Sequence, residues 1–464
     1  MIFSSILFLW IFLPVTVVGY YICRLKCRNA FLACASLVFY TWGEPVYIWV
    51  MLLSIFGNWL SGIWMERARR KKYVLAINII FNLSLLGFFK YCSLFINSIG
   101  EIIQGNAFQE VDIHLPIGIS FFTFQAMSYI IDLYREKYKA QHSLLNIMLY
   151  ISFFPQLIAG PIVRYSDVVE QLAGRTATIE KFGNGLKRFI YGLGKKVILA
   201  NMLAQVADAV VALDMVYIDW KLAWVGAICY TLTIYFDFSG YSDMAIGLGM
   251  IFGFEFPENF RLPYQSISIT EFWRRWHISL GTWFREYLYI PLGGNRRGSR
   301  RTYINLAIVF ALTGFWHGAG WNFLFWGIYY AFFIIIERMG LKNVLERHKI
   351  IGQIYTLGIV NFGWVFFNNN SIKRGLAHVM RMIMPWRYAY SAYSVREFLD
   401  NKSLLIMIVS VCGCGLIQCG MDKLNIRHLL KNSVIEMFFC ITILILSFMF
   451  LANDVYNPFI YFRF

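Results

Sequence analysis

Two histidines in aromatic surroundings are the residues of this sequence best suited to chemistry. His317 lies in TGFWHGAGWNFLFWG, residues 313–327, and His277 lies in FWRRWHISL, residues 272–280. Neutral imidazole titrates near pH 7 and can take a proton from a hydroxyl group, so each is a candidate general base. The alternative for each is a core histidine with a purely structural hydrogen bond.

The stretch around His277, SITEFWRRWHISLGTWFREYLYIP at residues 268–291, has the pattern of one amphipathic helix. Ser268 and Glu271 have capping-box spacing, and Pro291 marks the end. The apolar face would hold Trp273, Trp276, Leu280, Trp283, Phe284 and Tyr287, and the polar stripe Arg275, Ser279, Thr282 and Glu286. Such a helix is typical of a membrane interface. The spacing predicts that His277 points along the apolar face, into the protein.

His317 is expected deep in a membrane. It follows the basic cluster RRGSRR, residues 296–301, by about sixteen residues, which is roughly 24 Å of helix. An ionisable side chain at that depth is costly and indicates a functional site. The nearby glycines, Gly314, Gly318 and Gly320, either allow close backbone approach or leave room for a substrate.

The elements that position these histidines must be membrane helices. The 464 residues are 59% hydrophobic and only 15% charged, and apolar runs of about 20 residues, enough to cross a bilayer, recur throughout. The net charge of +16 falls largely in short loops between these runs. That is the positive-inside pattern, so a nucleic-acid partner is not expected and membrane lipid is.

The alternation of apolar runs and basic loops predicts about twelve crossings. They lie near residues 2–22, 30–42, 46–64, 74–97, 116–133, 188–212, 221–252, 302–318, 320–337, 351–367, 403–421 and 433–453. The first run could instead be a signal peptide, but its basic cluster follows it rather than preceding it. Pro155, Gly160 and Pro161 predict a broken segment over 152–165, either re-entrant or a kinked helix.

Two carboxylates, Asp237 and Asp243, fall inside an otherwise apolar span. They could carry protons, orient a histidine, or belong to a helix that packs through its small residues. A transporter with Asp237, Asp243 and His317 as a proton relay would be expected to show internal repeats, and we find none. The nine cysteines form no metal-ligand pattern or disulfide framework, so neither a metal nor a tightly bound cofactor is expected.

The two histidine motifs belong to longer stretches with a family resemblance. FWRRWHISLGTWFREYLYIPLGGNRRG (272–298) and GFWHGAGWNFLFWG (314–327), with FFPQLIAGPIVRY (153–165) and FDFSGYSDMAIGLG (236–249), resemble the membrane-bound O-acyltransferase (MBOAT) family. Within it they resemble the bacterial branch of alginate and peptidoglycan O-acetyltransferases and D-alanyl transfer proteins. PLGGNRRG (291–298) is closer to the acetyltransferases.

The resemblance implies an all-α polytopic membrane protein with the MBOAT fold. About 11–13 transmembrane helices would form a ring around a thin central core, with a funnel to each face and with interfacial and re-entrant helices. We expect a single domain over residues 1–464, with residues 268–327 as its catalytic core. The resemblance assigns His317 as the catalytic histidine and places His277 at a second signature position.

The resemblance also implies the reaction. Acetyl from cytosolic acetyl-CoA, a donor substrate, would be passed across a bacterial plasma (inner) membrane to a surface or secreted polysaccharide, with an SGNH-hydrolase-like transferase as partner. Alternatives are transfer of D-alanyl or another acyl group, a peptidoglycan acceptor, and, from another class, a proton-coupled transporter. A covalent acyl-histidine is an alternative route.

Further substrate-binding candidates surround the histidines. Trp273, Trp276 and Trp283 are candidate walls of the acyl path, and Trp316, Asp237 and Asp243 are further substrate-binding candidates. Arg274, Arg275 and Arg285 either meet the phosphates of coenzyme A or anchor the helix to lipid.

Overall fold

The computed structural model of this chain describes residues 1–104, 111–158, 160–416, 433–453 and 456. Every regular element in these ranges is a helix, in agreement with the all-α prediction. The chain divides into two compact units, residues 1–189 with 242–257, and residues 190–241 with 258–464. The expectation of a single domain over residues 1–464 stays a prediction.

The first unit contains eight complete helices and parts of two others. In chain order the helices are α1 (Leu13–Ile22), α2 (Arg28–Gly43), α3 (Ile48–Arg67), α4 (Lys71–Gln104), α5 (Ile119–Tyr134), α6 (Leu144–Ser152), α7 (Phe154–Leu157), α8 (Tyr165–Ala173) and α9 (Ile179–Gly194). A π-helical turn, Phe8–Phe12, precedes α1. Only the start of α9 lies in this unit, and residues 242–251, the end of a later helix, complete it.

The second unit holds both histidines. Its helices are α10 (Asn201–Ala212), α11 (Trp220–Ile251), α12 (Ile269–Arg275), α13 (Ile278–Phe284), α14 (Gly298–His317), α15 (Trp321–Ile336), α16 (Lys342–Arg347), α17 (Lys349–Asn368), α18 (Ile372–Ile383), α19 (Val395–Phe398), α20 (Asn401–Val411) and α21 (Ser433–Asn453). A π-helical turn, Lys195–Ala200, joins α9 to α10, and another, Arg285–Tyr289, extends α13.

Six helices in the described ranges are long and apolar enough to cross a membrane. They are Ile48–Arg67, Lys71–Ile103, Trp220–Ile251, Trp321–Arg347, Lys349–Asn368 and Val434–Asn453, and two shorter apolar helices are Phe8–Ile22 and Asn401–Gly415. Helices occupy the described part of all twelve predicted spans. The chain is therefore a multi-pass membrane protein, and the total of about twelve crossings stays a prediction. Part of the span at 403–421, with Cys419, lies outside the described residues.

The predicted break in the 152–165 segment is present. α6 ends at Ser152, α7 is one short turn that contains Pro155, and residues 161–164 have no regular structure. The described residues from Ile151 to Val163 are all buried. Side-chain hydroxyls take the place of helical hydrogen bonds here: Phe154 N donates to Ser36 Oγ at 3.1 Å, and Tyr150 Oη donates to the Val163 carbonyl at 3.1 Å. This agrees with the rule that broken backbone in a membrane protein is buried and satisfied internally.

The prediction of one continuous helix over 268–291 is wrong. The capping box is present, because Ser268 Oγ accepts from Glu271 N at 3.1 Å. However, α12 ends at Arg275, and α13 begins only at Ile278. Between them His277 has φ 44° and ψ 54°, in the left-handed region that few non-glycine residues adopt. The helical pattern of the sequence therefore hides a turn at the histidine.

The glycines near His317 bring two helices together. A Cβ on Gly314 would lie 2.2 Å from the carbonyl oxygen of Phe323, and one on Gly327 would lie 2.2 Å from that of Phe310. A Cβ on Gly318 would meet the ring of Phe323. At Gly314 close backbone approach is the reading that applies, and it holds the end of α14 against α15.

Candidate active site

His277 is held in the turn between α12 and α13 by the chain segment that precedes α12. The Asn259 carbonyl accepts from Ile278 N at 3.0 Å, and Arg261 N donates to the Arg275 carbonyl at 2.9 Å. These two hydrogen bonds span the break on both sides. The His277 side chain is 1% exposed, so it points into the protein as predicted.

His317 is the last residue of α14, and Gly318 is its C-cap. The helix has 20 residues, which at 1.5 Å per residue is about 30 Å, roughly the thickness of the hydrocarbon. The side chain is 4% exposed. The first turn of α14 carries Arg300 and Arg301, so the helix runs from a basic end to a buried histidine.

The two histidines lie close together. Their ring centroids are 6.4 Å apart, with 57° between the ring planes. The Trp316 ring lies 5.0 Å from His317 and 6.2 Å from His277, and Phe238 packs edge-on against His277 at 4.6 Å. The structure therefore brings together the three sequence candidates His277, Trp316 and His317.

Aromatic rings from three parts of the second unit, α12, α15 and α17, cluster beside this pair. Trp326 of α15 lies 5.2 Å from His317 and Phe367 of α17 lies 5.5 Å from it, both nearly perpendicular. Trp273 packs on Trp326 at 5.5 Å, and Trp276 packs on Trp364 at 4.9 Å. We call Trp273, Trp276, Trp326, Trp364 and Phe367 the aromatic cage. The predicted wall residues Trp273 and Trp276 thus belong to the same cluster as the histidines.

Trp326 brings a polar group into the cage. Its ring is fully buried, and its indole N–H has no hydrogen-bond partner among the residues that the structure describes. A buried donor of this kind usually bonds a ligand or an ordered water. Because Trp326 packs against His317, an acyl carbonyl bound beside His317 could accept a hydrogen bond from the indole N–H.

Burial controls the charge of His277. Loss of solvent contact lowers the pKa of His277 well below its ordinary value near 6.5, and repulsion by His317 lowers it further. His277 is therefore neutral at pH 7, as a proton acceptor must be. The unfolded chain binds a proton at His277 more readily than the folded protein does. The folded protein therefore becomes less stable as pH falls below about 6.5.

The three candidate arginines lie away from the cage interior. Arg275 forms an ion pair with Glu271 at 2.6 Å, one helical turn earlier on α12. Arg274 and Arg285 are exposed. All three arginines could bind the phosphates of coenzyme A at the entrance of the acyl path, and they could equally contact lipid headgroups.

The two candidate carboxylates have cationic partners. Asp237 lies 2.7 Å from Lys196 in an ion pair that is almost wholly buried. Asp243 belongs to the first unit, where it accepts from Arg188 at 2.9 Å. A polar side chain that does contact His277 is that of Asn259. Each of the two carboxylates thus has an opposite charge beside it.

Sequence reasoning missed several residues of the site. Asn259 lies in FPENFR, a segment without a recognisable chemical motif. Trp364 and Phe367 lie on α17, where the apolar pattern indicated a membrane span only. Ser279 was assigned to the polar stripe, yet it is buried and donates to Asn259 at 2.8 Å. Each assignment depends on contacts between residues distant in sequence, which periodicity does not reveal.

The chain is similar to known proteins. The sequence model of the membrane-bound O-acyltransferase family matches residues 133–371, which include both histidines. The chain is 43% identical to a probable alginate O-acetylase, AlgI, of Pseudomonas aeruginosa, over 80% of this chain and 73% of that protein.

Two further relatives match over the full length of the chain. A probable alginate O-acetylase AlgI of Pseudomonas putida is 37% identical over all of both chains. A peptidoglycan O-acetyltransferase of Helicobacter pylori is 32% identical over all of this chain and 98% of its own. The similarity therefore covers both compact units.

Proposed function

The chain belongs to the membrane-bound O-acyltransferase family, and from that premise we propose that it moves acetyl from cytosolic acetyl-CoA to hydroxyl groups of a polysaccharide outside the membrane. The observation that carries the proposal is the buried His277–His317 pair, with ring centroids 6.4 Å apart and with His317 packed against Trp326 and Phe367 of the aromatic cage. The names of the relatives, two alginate O-acetylases and a peptidoglycan O-acetyltransferase, support acetyl as the acyl group.

His317 is the proposed general base. The acceptor hydroxyl oxygen attacks the thioester carbonyl carbon while the imidazole takes the hydroxyl proton. The carbon–sulfur bond breaks, coenzyme A leaves as a thiolate, and that thiolate recovers the proton from the imidazolium. General-base assistance of this kind supplies about 10²–10⁴-fold in rate. Since a thiolate is a fair leaving group, the step needs little further acid catalysis.

The aromatic cage and the indole N–H of Trp326 support the rest of the step. Apolar rings exclude water, which would otherwise hydrolyse the thioester. A buried hydrogen-bond donor strengthens as negative charge develops on the acyl oxygen. In this proposal Trp326 donates to that oxygen. His277 assists proton transfer.

The proposal includes a direction and a partner. Acetyl-CoA is too highly charged to cross lipid, so the thioester enters from the basic, cytosolic side and the acetyl group leaves on the opposite side. The membrane is then the plasma (inner) membrane of a bacterium. The acetyl group is passed to an SGNH-type transferase, which esterifies the polymer. The ion pairs of Asp237 and Asp243 give no support to a proton relay.

A comparison of surface polymers from cells with and without this protein tests the proposal. Ester-bound acetate on exopolysaccharide, acetate on peptidoglycan and ester-bound D-alanine are measured in the parent, a deletion strain and a complemented strain. Loss of acetate from exopolysaccharide alone is expected. Loss from peptidoglycan, or loss of D-alanine, would replace the proposed acceptor or acyl group. Unchanged esters in all three fractions would contradict the proposed function.

The donor is tested with purified protein. Membrane vesicles that contain the protein and expose its cytosolic face are supplied with acetyl-CoA labelled in the acetyl group. Release of coenzyme A that depends on the protein and on an acceptor is expected. If release is the same in vesicles without the protein, acetyl-CoA is not the donor.

A further inference from the structure

Asn259 contacts the His277 turn through both its backbone and its side chain. Its carbonyl accepts from Ile278 N at 3.0 Å, which helps to hold the left-handed conformation of His277. Its side-chain Oδ1 lies 3.1 Å from His277 Nδ1. The Asn259 side chain is 1% exposed, so this contact is shielded from water. One residue therefore fixes both the backbone and the ring of the histidine.

A neighbouring backbone amide identifies which end of the Asn259 side chain faces His277. The same Oδ1 atom lies 3.3 Å from Ser279 N and 2.8 Å from Ser279 Oγ. A backbone N–H can only donate, so the atom it meets must be the carbonyl oxygen and not the amide nitrogen. The usual ambiguity between the two ends of an asparagine is thereby removed.

An oxygen at this place sets the tautomer of the imidazole. A carbonyl oxygen only accepts, so a hydrogen bond to it requires a proton on His277 Nδ1. Neutral imidazole carries one ring proton, and Nε2 must then present its lone pair. We propose that Asn259 is the positioning residue that holds His277 in the Nδ1–H tautomer, so that Nε2 acts as a proton or hydrogen-bond acceptor in acyl transfer.

This inference rests on the proposed function and sharpens it. With its proton on Nδ1, neutral His277 has no Nε2–H to donate to the acyl oxygen. It can accept a proton through Nε2, either from the acceptor hydroxyl or from His317 once that ring is charged. The Trp326 indole, in contrast, can only donate. Trp326 and His277 would therefore contact different ends of the reacting group: Trp326 the acyl oxygen, and His277 the group that gives up a proton. The lowered pKa of His277 keeps the ring neutral and ready to accept.

The tautomer can be read directly by ¹⁵N NMR of protein labelled at the histidine ring nitrogens, in lipid vesicles near pH 7.5. Subtraction of the His277→Asn spectrum assigns the signals of His277. We expect a protonated, pyrrole-type Nδ1 and an unprotonated, pyridine-type Nε2. The opposite assignment in the wild type would overturn the proposal. Because this readout needs no acyl donor or acceptor, it stands whether or not the protein acetylates a polysaccharide.

Substitution of Asn259 tests the cause. In Asn259→Leu we expect the Nε2–H tautomer to become populated and the rate of acetyl transfer per folded molecule to fall at least about tenfold. The matched control is Asn361→Leu, which removes another buried asparagine of the same unit, one that donates to Thr231 Oγ1 at 2.8 Å. This control is expected to leave the tautomer unchanged. An Nδ1–H tautomer and a wild-type rate in Asn259→Leu would overturn the proposal.

Asn259→Asp tests the same role of Asn259 if Asn259→Leu fails to fold. The carboxylate keeps an acceptor at Nδ1 but stabilises the charged imidazolium, so the pKa of His277 rises. His317, on α14, is a titratable group that also lowers the pKa of His277. Since transfer needs neutral His277, the acid limb of the pH–rate profile should move to higher pH by about one unit or more. An unmoved acid limb would contradict a role for Asn259 through the ring of His277.

Discussion

Two buried helices of this protein are broken, and the causes of the two breaks differ. In the 152–165 segment, Pro155 and Pro161 interrupt the helix, and hydroxyls of Ser36 and Tyr150 satisfy the backbone there. At Trp276–His277 the local sequence favours helix throughout. That break is held by Asn259, a residue 18 positions earlier in the chain. The first break is local in origin, and the second depends on tertiary hydrogen bonds.

The difference extends to function. The 152–165 break contains Gln156, whose side-chain amide donates back to the Tyr150 carbonyl within the same segment. The Trp276–His277 break instead presents an imidazole to His317 and the aromatic cage. Strained backbone is characteristic of sites where a side chain must be aimed. We therefore expect changes at the second break to alter the rate of transfer, and changes at the first to alter stability.

The largest expected effect on rate at the breaks comes from His277→Asn. Asparagine adopts the left-handed conformation readily, so the turn should persist while the imidazole is lost. We expect acetyl transfer per folded molecule to fall about 10²-fold, with the midpoint of thermal unfolding in detergent little changed.

The matched control for this change is Leu262→Asn, at another left-handed position of the second unit. It should leave the rate near that of the wild type. A His277→Asn protein that transfers acetyl at the wild-type rate would show that this break, like the first, is only structural.

A glycine near His317 gives the next largest effect, this time on stability. In Gly314→Ala the new Cβ would lie 2.2 Å from the Phe323 carbonyl oxygen, so α14 and α15 must separate. We expect a loss of about 1–3 kcal/mol in unfolding free energy, measured by unfolding in mixed detergent micelles. Gly358→Ala on α17, where the added Cβ meets nothing within 4 Å, is the control. It should be neutral or stabilising, and equal losses in both variants would refute the packing argument.

At the first break, Tyr150→Phe removes the hydroxyl whose one proton is within hydrogen-bond distance of the carbonyls of Gln125 and Val163. A buried carbonyl that loses its partner costs about 1–3 kcal/mol, so thermal stability should fall. The rate per folded molecule should stay near that of the wild type. A large loss of rate in Tyr150→Phe with unchanged thermal stability would contradict a purely structural role for the first break.

The smallest effect is expected at the exposed arginines. If Arg274 meets a phosphate of coenzyme A, Arg274→Gln should raise KM for acetyl-CoA by about two- to fivefold and leave kcat unchanged, as for a surface ion pair worth up to about 1 kcal/mol. Lys373→Gln, which removes an exposed charge on α18, a helix with no residue in the candidate site, is the control. A KM that does not move assigns Arg274 to lipid contact.

The sequence predicts much of this fold because apolar periodicity and basic loops are local signals. They located the helices, and Pro155 and Pro161 located the first break. They could not locate the second break, because residues 268–291 satisfy every local criterion for one helix and the competing hydrogen bonds come from Asn259. The polar stripe predicted an exposed Ser279 for the same reason. In the structure Ser279 is buried and donates a hydrogen bond to Asn259.

The sequence predicted only part of the site, because contacts between residues distant in sequence leave no local signal. His277, His317, Trp273, Trp276 and Trp316 could be identified from composition and resemblance, and the structure brings them together. Trp326, Trp364 and Phe367 complete the aromatic cage from α15 and α17. Asp237 and Asp243 looked functional because buried carboxylates are costly. Their ion pairs with Lys196 and Arg188 offset that cost.

The most direct test compares ester-bound acetate on the surface polysaccharide among the parent strain, a deletion strain, and a strain with His317→Ala at an equal level in the membrane. We expect the acetate to be lost in both mutants, because in the proposed mechanism the imidazole of His317 takes the hydroxyl proton. Retention of the ester in His317→Ala, with loss in the deletion strain, would show that His317 is structural and that another group is the base.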